Sequence, residues 1–334
     1  MKTEHKFYEE INLIKGFAAV LVVVGHALMQ TGVPNVFFYG IYSVLYSFHM
    51  QIFFFAAGFV SIKMLQLEGI EGRAKYIGSR CQRLLVPYFV MGIIYTPLKI
   101  ILQKYANLPY DFSTGWRIFI GENPDGALWF LYALFIISLC VVLVIQKSNV
   151  WILWGISLVV MIISCMFTYE NVIVREILFN AFFFMSGLIC RIYYEKVRPL
   201  FEKKWIALVV TVGFVVGNYF YFFDSANYLW KILTGICGTI WFLCIGLWIT
   251  ETFNKQSTVR KTVSMLGDYS MDIYIFAEPI KVGVKILFWS LLKWNYMICT
   301  MLCFVLPIIF AIVGSRYVVR RISFFKKIFL GDFS

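Results

Sequence analysis

Apolar residues along this chain gather in runs of about 20, the length at which an α-helix crosses the roughly 30 Å hydrocarbon core of a bilayer. Ten such runs can be drawn, near 11–30, 41–62, 84–103, 126–146, 150–168, 172–190, 205–223, 229–250, 270–291 and 296–315. The connections between them are short and leave no room for a soluble domain. The pattern therefore predicts an all-α, polytopic membrane bundle of about ten transmembrane helices, one domain spanning residues 1–334 with no appended soluble domain. The links at 146–150 and 168–172 are the shortest, and there a helical hairpin or a re-entrant pair is the alternative to two full spans.

Composition narrows the class. Of 334 residues 61% are hydrophobic and only 14% charged, with a mean hydropathy of +0.79, whereas a soluble domain carries charge on roughly a quarter of its positions. The 34 Phe, and a 19% share of Phe, Trp and Tyr together, suit a surface facing lipid and rings anchored at the headgroup layer. Disorder and a disulfide scaffold are excluded by the same figures. The eight cysteines form no CxxC pair and fall mostly in or beside apolar runs. They read as packing residues, with no metal site.

The net charge of +12 raises the question of a nucleic-acid partner, and the placement of the cations answers it. With the N-terminus inside, 21 of the 30 Lys and Arg fall in inner segments and five in outer ones, and Lys15, Lys99, Lys281 and Lys285 lie within spans. This bias predicts both termini in the cytoplasm and assigns most of the charge to orientation and to the anionic inner leaflet, so no nucleic-acid partner is expected. The first run follows Glu4, Glu9 and Glu10 and lacks a small-x-small cleavage pattern, so it reads as a retained span rather than a signal peptide.

Polar residues inside the spans mark candidate chemistry, since a central charge costs about 2.5–3.5 kcal/mol on insertion scales. Lys15 and His26 stand eleven residues apart, which at about 100° per residue brings both to one helix face some 16 Å apart along the axis. His26, toward the outer half, is a candidate general base for a hydroxyl; the structural alternative is a histidine satisfied by a neighbouring carbonyl. His49, at similar depth on the next span, would line the same cavity or hydrogen-bond between helices. Arg80 and Arg83, spaced i, i+3, are placed at the N-terminal end of the third span, where two guanidinium forks and a helix dipole suit phosphate; orientation of the span is the alternative. On the ninth span Tyr274, Glu278, Lys281 and Lys285 fall within an arc of about 60°. Glu278 and Lys281 are predicted to pair, with Pro279 opening the backbone beside them and a register-setting ion pair as the structural alternative.

Taken together, the motifs resemble those of the bacterial acyltransferase-3 membrane proteins, the O-acyltransferases of envelope and extracellular polysaccharides. The resemblance rests on Lys15 and His26 with ten residues between, Ser47-Phe-His-Met before a Phe run and Gly58, Arg80-Cys-Gln-Arg83 leading to Pro87-Tyr88, Leu128-Trp129-Phe130-Leu131, and Gly267-Asp-Tyr-Ser270. It covers nearly the whole chain. Two positions depart from the family pattern: Lys15 stands where Arg is frequent, and Ala277, followed by Glu278, stands where a histidine is usual seven residues after the serine.

The resemblance implies a multi-pass protein of the bacterial cytoplasmic membrane that moves an acetyl group from cytoplasmic acetyl-CoA to a hydroxyl of a cell-surface or lipid-linked glycan, without a metal. It implies Arg80, Arg83 and Lys15 on the cofactor, and His26 as base or acyl carrier. His49 would orient the thioester or stabilise its oxyanion, and Trp129, Tyr274, Glu278, Lys281 and Lys285 would hold substrate. Homo-oligomers or glycan-synthesis partners are compatible with it, and so is polysaccharide export, proposed for some relatives. Against export, the chain shows no inverted repeat.

Overall fold

The computed structural model describes residues 7–28, 35–105, 112–167, 169, 171–225 and 227–333. The outer end of the first predicted run (29–30), the end of the fifth (168), and Lys2 and Lys6 lie outside them. The first half of the chain forms α1 (Glu9–Leu28), α2 (Val36–Phe59), α3 (Gly69–Arg80), α4 (Val86–Ile101), α5 (Trp129–Val144), α6 (Val150–Ser164) and α7 (Val172–Ile192). The second half forms α8 (Tyr194–Phe201), α9 (Lys204–Phe223), α10 (Tyr228–Thr252), α11 (Thr258–Asp268), α12 (Ser270–Val284), α13 (Tyr296–Gly314) and α14 (Ser323–Leu330). A helix lies at each of the ten predicted places, and among the described residues eight helical stretches are long and apolar enough to cross a membrane. The other two places are held by α6, which has 15 residues, and by α12, whose run to Leu291 carries Asp272, Glu278, Lys281 and Lys285.

One predicted boundary is corrected. The third span does not begin near residue 84: a continuous helix starts at Gly69 and passes through a wide π turn at Cys81–Leu85 into α4. Arg80 and Arg83 therefore sit inside a helix, where the backbone N–H groups are already used, and not at a free N-terminus. Similarly, α12 continues through Pro279, and its backbone widens only at Lys285–Leu291.

The start of α1, α11 and the segment that carries Arg320 share one face of the bundle. Glu9 holds the Arg260 guanidinium through two 2.6 Å hydrogen bonds, and Arg320 donates to the Asp268 carbonyl and to the Asp272 carboxylate, 2.6 Å each. Both pairs are charged and fork-to-fork, which offsets the burial of Asp272 and Arg260. This is the face that the charge bias of the sequence predicts to be cytoplasmic.

Small residues set how closely the helices approach. At the crossing of α2 and α7, a Cβ on Gly58 would lie 1.8 Å from the Phe184 carbonyl oxygen, and one on Gly187 would lie 1.9 Å from that of Phe55. The reciprocal glycines let the two backbones touch, which in lipid replaces the hydrophobic drive that water would supply. α1 runs through the centre, packed by α2, α10, α11, α12 and α13, so its Lys15–His26 face looks into protein.

The segment between α4 and α5 folds back into the bundle. Tyr88 donates to the Ile118 carbonyl at 2.8 Å, and Asn123 donates to that of Tyr88 at 2.8 Å. This tucks Asp125 fully out of solvent, where it caps the turn that leads into α5.

Candidate functional site

A polar centre forms where the outer half of α1 meets α12. Lys281, 2% exposed, donates to the Glu278 carboxylate at 2.6 Å and to the His26 carbonyl at 3.3 Å. The same Glu278 oxygen stands 3.7 Å from His26 Nδ1. The predicted Glu278–Lys281 pair is present, and it is aimed at His26. A separation of 3.7 Å is too long for a hydrogen bond, yet catalytic pairs often lie loose in the unliganded state and tighten around substrate. With Nδ1 turned to the carboxylate, Nε2 is the ring nitrogen left for a substrate.

His26 and His49 line one cavity of about 260 Å³ in the outer half of the bundle, together with Tyr46, Trp129 and Tyr274. Tyr46 lies between the two imidazoles, its ring centre 6.2 Å from that of His26 and 5.0 Å from that of His49. His49 is buried and its Nδ1 lies 2.6 Å from the Leu45 carbonyl. A carbonyl only accepts, so Nδ1 carries a proton and Nε2 is the ring nitrogen that remains for a partner in the cavity. Tyr274 donates to the Ala127 carbonyl, which leaves its ring edge on the cavity wall.

The ninth-span stripe divides among neighbouring spaces. Glu278 and Lys281 border a small recess shared with His26 and Tyr274. Lys285, within the wide turn, donates to the Tyr105 carbonyl at 3.4 Å and lines a separate cavity of about 260 Å³ between α4 and α12. Glu278 and Lys99 also border that space. Lys285 is thus removed from the histidines.

At the inner face a larger cavity of about 710 Å³ carries Lys15, Lys63, Lys147 and Arg191 on its lining, with Tyr8, Phe59 and Tyr193 among its aromatic walls. Lys15 is the deepest of these cations along α1. From it, Ala18, Ala19, Val22 and Val23 continue the same helix face to His26. Arg80 and Arg83 are not on this lining: Arg80 donates to the Tyr76 and Ser61 hydroxyls at 2.8 and 2.9 Å, and Arg83 is exposed beside the C-terminal Gly331.

The sequence pattern assigns Lys63, Lys147, Arg191 and Lys231 to orientation alone, and it does not mark Gln51, Asp125 or Glu176 as candidates. Glu176 did carry a signal, an acid inside an apolar run. Among the described residues no cluster of three or more His, Cys, Asp or Glu could hold a metal.

The acyltransferase-3 family model, described as an acyltransferase domain, matches residues 8–315. No curated protein and no solved structure matches the chain.

Proposed function

Because the chain belongs to the acyltransferase-3 family, a family of membrane acyltransferases, we propose that it carries an acetyl group from cytoplasmic acetyl-CoA to a hydroxyl of a cell-surface or lipid-linked glycan. The observation that carries the proposal is that one face of α1 bears both Lys15, on a basic inner cavity, and His26, at the centre with Glu278 and Lys281. Four cations and several rings at the inner cavity suit the phosphates and adenine of a nucleotide. To reach His26, a pantetheine arm would cover about 16 Å along this face, and the packing over Ala18 and Ala19, both buried here, would open to admit it. In this reading the phosphate role passes from Arg80 and Arg83 to Lys63, Lys147 and Arg191, with Lys15 retained.

His26 Nε2 takes the proton of the acceptor hydroxyl, and the oxygen attacks the thioester carbonyl. The tetrahedral adduct collapses with cleavage of the C–S bond, and the imidazolium returns the proton to the departing CoA thiolate. Atoms and charge balance without an external acid. Glu278 steadies the imidazolium, as carboxylates do for catalytic histidines elsewhere, and Lys281 keeps Glu278 ionised and in place. His49 accepts from a second hydroxyl, and Trp129 offers a face for a sugar ring.

Inside-out membrane vesicles given acetyl-CoA labelled in its acetyl group provide the test. Label in O-acetyl esters of the glycan, appearing with one free thiol per ester, supports the reading. Loss of surface polymer on gene deletion, with acetylated polymer retained inside the cell, would replace it with export.

A further inference from the structure

We infer that the outer cavity has a dedicated acceptor subsite built from Gln51, Glu176 and Lys231, which recognises the hydroxyls of a polyhydroxylated ring next to the one that is acylated. The inference rests on the acetyl-transfer reading above and adds what selects the acceptor.

All three residues line the cavity that holds His26 and His49. Gln51 is 1% exposed, and its side-chain oxygen has no hydrogen-bond partner. It lies two residues past His49, with its chain packed on Gly235 of α10, where a Cβ would come within 3.2 Å of Gln51 Cγ. Gly235 is one turn beyond Lys231, so this close approach brings the amide to the lysine's side of the cavity. Across the cavity, Glu176 receives hydrogen bonds from Arg175 at 3.1 Å and from Asn180 at 3.2 Å, and Lys231 stands 3.4 Å away.

The unpaired atoms concentrate here. Arg175 Nε and Asn180 Oδ1 are also buried without a partner, and both belong to the Glu176 cluster. Folded proteins pair nine in ten or more of their buried polar atoms, because an orphan costs about 1–3 kcal/mol. Of these three, Gln51 Oε1 belongs to the lining that holds the two histidines, and it fits a group held for a ligand.

The chemistry of the set selects the ligand. On the lining, the Gln51 amide oxygen and the Glu176 carboxylate accept while the Lys231 ammonium donates, which matches hydroxyls able to do both. A lipid chain would satisfy none of them. About 260 Å³ falls below the range of drug-sized pockets, so the space takes one ring of a glycan, with the rest of the polymer outside.

Gln51→Leu gives the test. It keeps the apolar bulk and removes an unpaired buried amide, so a purely structural role leaves the protein as stable as before or more so. The probe is the host cell's own surface polysaccharide, stripped of esters by mild alkali and cut to short fragments, offered with acetyl-CoA to the full-length protein in membranes. The subsite predicts an acceptor KM raised about tenfold, as for one lost hydrogen bond of about 1.4 kcal/mol, with the acetyl-CoA KM within twofold of the unmodified protein and thermal stability kept. An unchanged acceptor KM at full stability would overturn the subsite. Failure of the unmodified protein to release CoA in response to the fragments would overturn instead the acetyl-transfer reading on which it rests.

Discussion

Replacing Glu278 separates a structural ion pair from a catalytic one. Its carboxylate bonds Lys281 at 2.6 Å and faces His26 Nδ1 at 3.7 Å, and Lys281 is 2% exposed. Glu278→Gln keeps shape and one acceptor oxygen but leaves a buried ammonium without its counter-charge, a loss of up to about 3–5 kcal/mol where a buried pair is broken. A fall in activity in this variant alone would not distinguish the two roles. The double variant Glu278→Gln/Lys281→Met does, because removing both charges returns stability to within about 1 kcal/mol of the starting protein, or above it. The imidazole remains but loses its orienting carboxylate, a role whose loss costs about 10⁴-fold in a catalytic triad. Purified in detergent, the single variant should melt early. The double variant should melt near the native temperature and transfer acetyl at least about 100-fold more slowly, by thiol release at saturating acetyl-CoA, as loss of the carboxylate that orients the base requires. A stable double variant with near-native turnover would refute the reasoning and return Glu278 and Lys281 to helix register alone.

Other outcomes follow from the same geometry. Gly187→Ala places a methyl 1.9 Å from the Phe55 carbonyl oxygen, and the backbones must part; a cost of about 1–3 kcal/mol is expected from overpacking, read as a lower melting temperature, and an unchanged one would contradict the crossing. Arg191→Gln or Lys63→Gln should raise the acetyl-CoA KM several-fold with the acceptor KM unchanged, since both line the inner cavity; an unchanged acetyl-CoA KM would remove the nucleotide from that cavity. Tyr274→Phe removes a hydroxyl bonded to the Ala127 carbonyl, and because that orphans a buried oxygen, a loss of about 1–2 kcal/mol in stability is expected; a melting temperature equal to the native one would show that the bond is absent.

Much of this site could be read from residue spacing, and the rest could not for identifiable reasons. The eleven-residue step from Lys15 to His26 is a helix-face argument that needs only one helix, and the structure holds the two on one stripe. His26 and His49 share a depth on consecutive spans, Tyr274 belongs to the polar stripe of the ninth span and Trp129 to the family resemblance, and all four line one cavity because α1 is central. Glu278 was harder: about 100° from Ala277 on its own helix, it meets His26 only because α1 packs on that side of α12. Arg80 and Arg83 were set at a helix start because hydropathy detects only the apolar part of a helix. Segment 69–80 is polar and holds Gly69, Gly72 and Gly78, yet its helix runs without a break into α4. The burial of Asp125 and the unpaired amide of Gln51 depend on how distant segments fold against them, which no local pattern reports.

In the proposed mechanism His26 is the base that serves acetyl transfer, and His26→Ala in the producing cell tests that role most directly. The variant is expected to insert and accumulate at the native level while O-acetyl groups on the surface glycan, measured by mass spectrometry, fall to the level of the deletion strain. Native acetylation by a normally accumulating His26→Ala protein would rule that role out.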